Sequence, residues 1–275
     1  MAVDGPAGAT GGGPRYQAGT LHHDEVVMGT VASFLVHPGE TPPDALRAGL
    51  ARACALLHEV DRVFSTWKAD SPVSRLRRGE AALADLPPQV AEVLALCETA
   101  RDSSGGWFDP WAMPGGVDPT GLVKGWAVQR AADLLAGIPV AGVMVNAGGD
   151  LAVRGAPPPF AGEPPGEPVW RVGIRHPWRP DALACVVEAR GAVATSGTYE
   201  RGAHLVDPRT ALPLCRVASA TVSGPDLALA DAYATALAVG GDEALADARW
   251  RGDYEAYLIR PDGSELRTKG FPAVS

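Results

Sequence analysis

The sequence predicts an α+β fold, a single domain with a mainly antiparallel sheet and helices packed against it. Three observations carry this. Segments with strand character outnumber helical ones and mostly adjoin in sequence. Helical segments come in pairs instead of alternating strictly with strands. No short-period repeat or composition break divides the chain. Its 275 residues, 46% hydrophobic and 20% charged, are ample for a sizeable core in a globular protein.

The elements follow in order. Residues 1–20 open with the Gly- and Ala-rich run MAVDGPAGATGGGPRYQ and are read as a disordered N-terminal segment. Residues 24–36, DEVVMGTVASFLV, are β-rich and interrupted by Met28-Gly29-Thr30. Apolar residues at i, i+3, i+4 and i+7 predict an amphipathic helix over 43–62, started by Pro and capped by Asp. FSTWKADSPVSRL is turn-like, with a short helix from Ser71. A second helix over 87–104 ends at Gly105-Gly106. GWFDPWAMPGGVDPTG is too rich in Pro, Gly and Trp to be regular, and it leads into the helix LVKGWAVQRAADLLAG. GVMVNAGGDLAVRG is a β-hairpin. A Pro-rich loop at 156–168 precedes the strand VWRVGIRHP and the β-rich run ACVVEARGAVATSG. Residues 195–210, TSGTYERGAHLVDPRT, read as strand, turn and a short strand around His204. VASATVSG is a further strand, 226–240 a helix, and YEAYLIRPDG a terminal hairpin arm.

Bulk properties exclude several function classes. A net charge of −8 argues against a general nucleic-acid or anionic-membrane binder. No run of about 18 apolar residues is present to span a bilayer. The start has neither the basic nor the apolar region of a secretory signal, and no lipobox-like cysteine lies near it. The expectation is a cytoplasmic protein, although a chain stripped of its leader would read the same. Cys54, Cys97, Cys185 and Cys215 are widely spaced without CxxC, which fits free thiols in a reducing compartment.

Four constellations could carry chemistry. Asp231 and Thr235 share one helical face amid small Ala neighbours. They could approach a hard cation such as Mg²⁺ with room for water and phosphate, or merely serve the helix dipole and backbone. Asp118 opens a Gly-containing helix start, with Lys124-Gly125 following. Such a start binds phosphate, yet GxxxxGK is absent and a capped helix with an exposed Lys is the plainer reading. In VNAGGD, Gly148-Gly149 allows either close ligand approach or a tight turn. Thr195, Ser196 and Thr198 form a hydroxyl cluster suited to a polyanion. Nearby His204 could move a proton or sit as a structural His beside Asp207, and Arg209 could meet a phosphate or Asp207. His22, His23, His37 and His58 show no ligand spacing and receive no role; His176 is read as structural.

Taken in order, the segments VVMGTVASF, VDRVFSTWKADSPVSRL, GGWFDP, DPTGLVKGWAVQRAADLL, VNAGGDLAVRG, WRVGIRHP, GAVATSGTYERGAHLVDPRTALP and ATVSGPDLALADAYATALAVGG resemble the ApbE family of FAD:protein FMN transferases. They run from residue 26 to about 241. The resemblance implies an ApbE-like FAD-binding flavin transferase domain over 21–275, FAD as substrate and a bound Mg²⁺. It implies that Met28 and Trp67 contact the flavin, and that Asp118 and Lys124 hold the pyrophosphate and adenosine parts. Thr195 and Ser196 would cradle phosphate, and Leu205 would lie against FAD. The Gly121 carbonyl, Asp231 and Thr235 would hold the metal, and His204 matches the family's catalytic His. The implied reaction transfers FMN to a Thr or Ser hydroxyl of an acceptor flavoprotein with release of AMP. Water in place of the acceptor would make the same site an FAD pyrophosphatase, and loss of chemistry would leave an FAD-binding protein. The chain departs from the family in three ways. Only WAMPGGV separates FDP from Asp118, Trp111 stands where Thr is usual, and Arg77 stands where Asn is frequent.

Overall fold

A computed structural model describes residues 13–17, 19–158, 167–197, 205–250 and 252–274. Its strands are β1 (Arg15–Gln17), β2 (Thr20–Val27), β3 (Thr30–His37), β4 (Gly142–Ala147), β5 (Asp150–Gly155), β6 (Trp170–His176), β7 (Arg179–Ala189), β8 (Ala192–Gly197), β9 (Val206–Asp207), β10 (Leu212–Pro213), β11 (Ser219–Gly224), β12 (Glu255–Ile259) and β13 (Glu265–Arg267). Nine of these form one antiparallel sheet in the order β1-β2-β3-β4-β5-β8-β11-β12-β13. β6 pairs with β7, and β9 with β10, in two small ladders. The longer helices are α1 (Pro43–Phe64), α2 (Pro72–Arg77), α3 (Pro88–Ser103), α4 (Thr120–Ala136) and α5 (Leu227–Asp247). This is the expected α+β class with a mainly antiparallel sheet.

Alternation along the strands sets the layering, because successive side chains point to opposite faces. Ala192 and Ala194 of β8, with Ala256 and Leu258 of β12, join the large core under the helices. Their neighbours Val193, Tyr257 and Ile259 join a second core with Trp170, Val172, Ile174 and Val187 of the β6–β7 hairpin. The sheet is therefore covered on one face by α1, α4 and α5 and on the other by that hairpin. α5 is buried nearly all round its first four turns, as its Ala-rich composition requires. Gln129 ties α4 to the start of α5: its Oε1 accepts from Leu227 N–H at 2.6 Å, and its Nε2 donates to the N-cap Asp226 at 2.8 Å.

Several local expectations change. Regular structure begins before residue 21: Arg15–Gln17 pair with Thr20–His22, so part of the segment set aside as disordered at 1–20 is a strand. Its three residues, Arg15, Tyr16 and Gln17, are all exposed, which suits an edge position. Asp44 does not cap α1. The helix starts at Pro43 with no side-chain cap, and Asp44 in the first turn pairs with Arg47. The run ACVVEARGAVATSG splits into two strands that belong to different layers, β7 and β8. α5 continues past 240 to Asp247 across a break at Gly241, whose φ is 57°. Met28 and Gly29 both have positive φ, 52° and 69°, which makes the interruption of the 24–36 stretch a tight hairpin turn between β2 and β3. The four cysteines are free thiols. Burial pushes the Cys97 thiol up to about 12, so it stays protonated at neutral pH. Among the described residues no helix is long and apolar enough to cross a membrane.

Candidate functional site

The approach of α4 to α5 builds the site. A side chain at Gly125 would place its Cβ 2.4 Å from the Leu227 carbonyl oxygen and 2.9 Å from the Asp231 Cβ, so only glycine allows this contact. The contact brings Lys124 and Gly121 of α4 against Asp231 and Thr235 of α5. Gly125 N–H donates to Asp231 Oδ2 at 3.1 Å, and Asp231 Oδ1 lies 3.9 Å from Lys124 Nζ. Lys124 Nζ also forms an ion pair with Asp150 at the start of β5, whose side chain has no exposed surface. Asp150 Oδ1 accepts from Thr195 N–H at 3.0 Å. Two buried carboxylates thus face the Lys124 ammonium.

Hydroxyls complete the surroundings. Ser196 of β8 lies 3.4 Å from Thr235, oxygen to oxygen, and Thr195 lies 3.0 Å from Thr221. With Asp231 they present oxygen donors alone. That chemistry suits a hard divalent cation such as Mg²⁺ and would not select a soft one.

Lys124, Thr195, Ser196, Asp231 and Thr235 line a cavity of about 400 Å³ that also takes in Asp118, Gly121 and Leu205. A second cleft adjoins it and contains Met28 and Trp67. Thr120 and Lys124 belong to both, so the two recesses meet at Lys124. Trp67 is 95% exposed. An indole that fold energetics would bury is held out at the edge of a cleft, where its face is open to contact. The structure therefore brings Met28, Trp67, Asp118, Gly121, Lys124, Thr195, Ser196, Leu205, Asp231 and Thr235 onto two connected recesses. His204 and Thr198 lie outside the described residues.

Asp118 has local work. Its Oδ1 accepts from Thr120 N–H at 3.1 Å and from the Thr120 hydroxyl at 2.6 Å, which helps start α4. Its Oδ2 accepts from Arg77 Nη1 at 2.7 Å. Arg77 also donates to the carbonyls of Pro114 and Gly115 at 2.9 and 3.3 Å. The short 109–118 segment is thereby clasped to the end of α2, and the two departures at Arg77 and at the segment length are one structural feature. Arg77→Ala is expected to destabilise the fold by about 1.5–3 kcal/mol, the range for hydrogen bonds to charged groups. Chemical denaturation read by tryptophan fluorescence checks this, and an unchanged midpoint would refute the clasp.

Sequence reasoning missed or misplaced three groups. Asp150, which follows Gly148-Gly149 into β5, receives no role from the sequence, yet it pairs with Lys124; its signal is a carboxylate entering a strand directly after Gly-Gly. Trp107 was unassigned. It is 1% exposed, donates from Nε1 to Asp247 at 3.0 Å, and carries the Arg209 guanidinium 3.5 Å from its ring centroid. Arg209 accordingly does not pin Asp207 with its side chain. Its backbone N–H donates to Asp207 at 2.9 Å, while the guanidinium goes to Trp107 and to Asp247 at 3.6 Å. Face-on contact with an indole is favourable for a planar cation.

Residues 28–115 and 113–258 match the family model described as the ApbE family. The chain is 30% identical over 285 residues to a FAD:protein FMN transferase of Rhodobacter capsulatus, covering 93% of this chain and 51% of that protein. It is 32% identical over 163 residues to a FAD:protein FMN transferase of Escherichia coli K12, covering 55% and 44%. The chain spans about half the length of the curated relatives it matches. Among solved structures, the apbe protein from Thermotoga maritima superposes with a TM-score of 0.75 at 18% identity, over 91% of this chain and 97% of that one. Flavin transferase ApbE from Vibrio cholerae gives 0.74 at 22% identity, over 92% and 98%. At those identities the structural likeness is one of fold.

Proposed function

Because the chain belongs to the ApbE family, we propose that it is an FAD:protein FMN transferase, which moves the FMN part of FAD to a Thr or Ser hydroxyl of an acceptor flavoprotein and releases AMP. The observation that carries this reading is the pair of recesses joined at Lys124, with an exposed indole in one and a buried oxygen cluster in the other. A ligand with a planar ring system and a diphosphate matches both.

In this reading the flavin lies against Met28 and Trp67, and Leu205 adds an apolar wall for FAD. Lys124 and Asp118 hold the pyrophosphate and adenosine end. The Arg77 pair cancels the Asp118 charge, so this carboxylate does not repel the diphosphate. Thr195 and Ser196 donate hydrogen bonds to phosphate. The Gly121 carbonyl, Asp231 and Thr235 would hold Mg²⁺, which supplies neutralisation of the charge that builds on the departing AMP. His204 takes the proton of the acceptor hydroxyl as its oxygen forms a bond to the FMN phosphorus. The bridging P–O bond breaks in the same transfer, and AMP leaves with that oxygen. The free thiols support a cytoplasmic setting, which cell fractionation would test.

The test incubates the protein with FAD, Mg²⁺ and a flavin-acceptor domain, then reads in-gel flavin fluorescence and AMP. Fluorescent acceptor with equimolar AMP is expected. FMN and AMP formed equally well without acceptor would replace transfer by hydrolysis. His204→Ala should lower transfer by about 10²–10⁴-fold, the usual range for a general base; full activity would remove it from the mechanism. Trp67→Ala should weaken FAD binding about tenfold, since loss of an aromatic contact and its buried area is worth about 1.4 kcal/mol or more. Its unfolding free energy should stay within about 0.5 kcal/mol. Equal FAD affinity by titration of flavin fluorescence would place the ring elsewhere.

A further inference from the structure

β2 and α1 carry a second cluster of ligating side chains, apart from the oxygen-rich recess. His23 and Glu25 are two apart on a strand, so they share one face. Cys54 and His58 are four apart on α1, so they share one helical face. The fold sets these two faces against each other. His23 Nε2 lies 3.0 Å from Glu25 Oε2, and His58 Nε2 lies 2.8 Å from Glu25 Oε1. One ligand atom from each of His23, Glu25 and Cys54 falls within 4.8 Å of the others, and all three residues are partly buried. His23 Nδ1 is buried with no hydrogen-bond partner among the described residues, so the protein does not satisfy both of its ring nitrogens.

We propose that His23, Glu25 and Cys54 form a binding site for a borderline divalent transition metal of the Zn²⁺ class. An imidazole, a carboxylate and a thiol are the donor types such an ion takes, whereas Mg²⁺ takes oxygen. On binding, the Cys54 thiol releases its proton to solvent as the sulfur–metal bond forms. Glu25 contributes one carboxylate oxygen and His23 a neutral ring nitrogen. His58 is a positioning residue: it holds the other Glu25 oxygen and fixes the carboxylate's direction. Its side chain is half exposed, and water on that side completes a four-coordinate shell. The metal would clamp β2 to α1. β2 runs directly into the Met28 turn, and the next turn of α1 supplies Val60, Asp61 and Phe64 to the recess that holds Trp67.

The test titrates untagged full chain with Zn²⁺ and with Co²⁺, both with Mg²⁺ in large excess so that the oxygen-rich recess does not compete. One equivalent of each is expected per chain, with thiolate-to-cobalt charge-transfer absorption in the near ultraviolet and a raised melting temperature. Cys54→Ser should remove that absorption and weaken Zn²⁺ at least about 100-fold. His58→Gln should retain the absorption while weakening Zn²⁺ about 10- to 100-fold, as loss of a ligand-orienting partner does. Wild-type protein with no thiolate absorption, or Zn²⁺ affinity unchanged in Cys54→Ser, would overturn the site. The cobalt spectrum of the wild type decides alone should the variants fail to fold. Absence of FMN transfer would leave this result standing, because no readout uses FAD.

Discussion

Asp231→Asn is expected to lower kcat/KM for FMN transfer by at least about 10³-fold and to leave the fold intact. Asparagine keeps the volume and an acceptor for Gly125 N–H, which Asp231 now meets at 3.1 Å. It removes the negative charge. Metal stabilisation of a transferring phosphoryl group is worth several kcal/mol, and each 1.36 kcal/mol is a factor of ten in rate. Lys124 keeps Asp150 as a partner, so its ammonium is not stranded by the change. Transfer rates across a Mg²⁺ series, paired with a melting curve, make the measurement. Activity within tenfold of the native chain, with the same Mg²⁺ dependence, would strip Asp231 of the metal role.

Gly125→Ala should destabilise the fold by about 3 kcal/mol. Two effects compete. Alanine is a better helix former than glycine by up to about 1 kcal/mol. Against that, the new Cβ would meet the Leu227 carbonyl oxygen at 2.4 Å, and that atom is backbone at the start of α5 and cannot rotate away. Overpacking commonly costs about 1–3 kcal/mol, and contact with rigid backbone belongs at the upper end. A chain of this size should lose roughly 6–12 °C in Tm. The damage would reach function too, because the same movement withdraws Asp231 and Thr235 from Lys124. A Tm equal to or above that of the native chain would show that the helices separate freely.

Local periodicity made most elements legible. The 3.6-residue pattern marks α1 and α3, and the Gly-Gly turn marks the β4–β5 hairpin, where Gly148 and Gly149 both have positive φ. Asp231 and Thr235 were readable as a pair because four residues on a helix is a spatial relation in itself. Contacts between elements left no such trace. Asp150 meets Lys124 from another layer, and nothing in VNAGGD announces that partner. Arg209 sits two residues from Asp207, yet its guanidinium crosses to Trp107. The β7–β8 run reads as one apolar stretch, because a strand buried in one layer resembles a strand buried in the next. His23, Glu25, Cys54 and His58 looked unrelated for the same reason: the ladder and the helix each show an ordinary spacing, and only their docking joins them.

The shared wall at Lys124 also bears on turnover. In the proposed reading, two recesses that share Thr120 and Lys124 would hold a two-part ligand by linkage, since binding of one part keeps the other at high effective concentration beside its own recess. Scission at the junction ends that advantage. Each fragment then keeps only the affinity of its own recess, and neither raises the local concentration of the other. Under the proposed reaction, the division of the binding surface would therefore favour release of the cleaved pieces over retention, with no moving part required for the asymmetry.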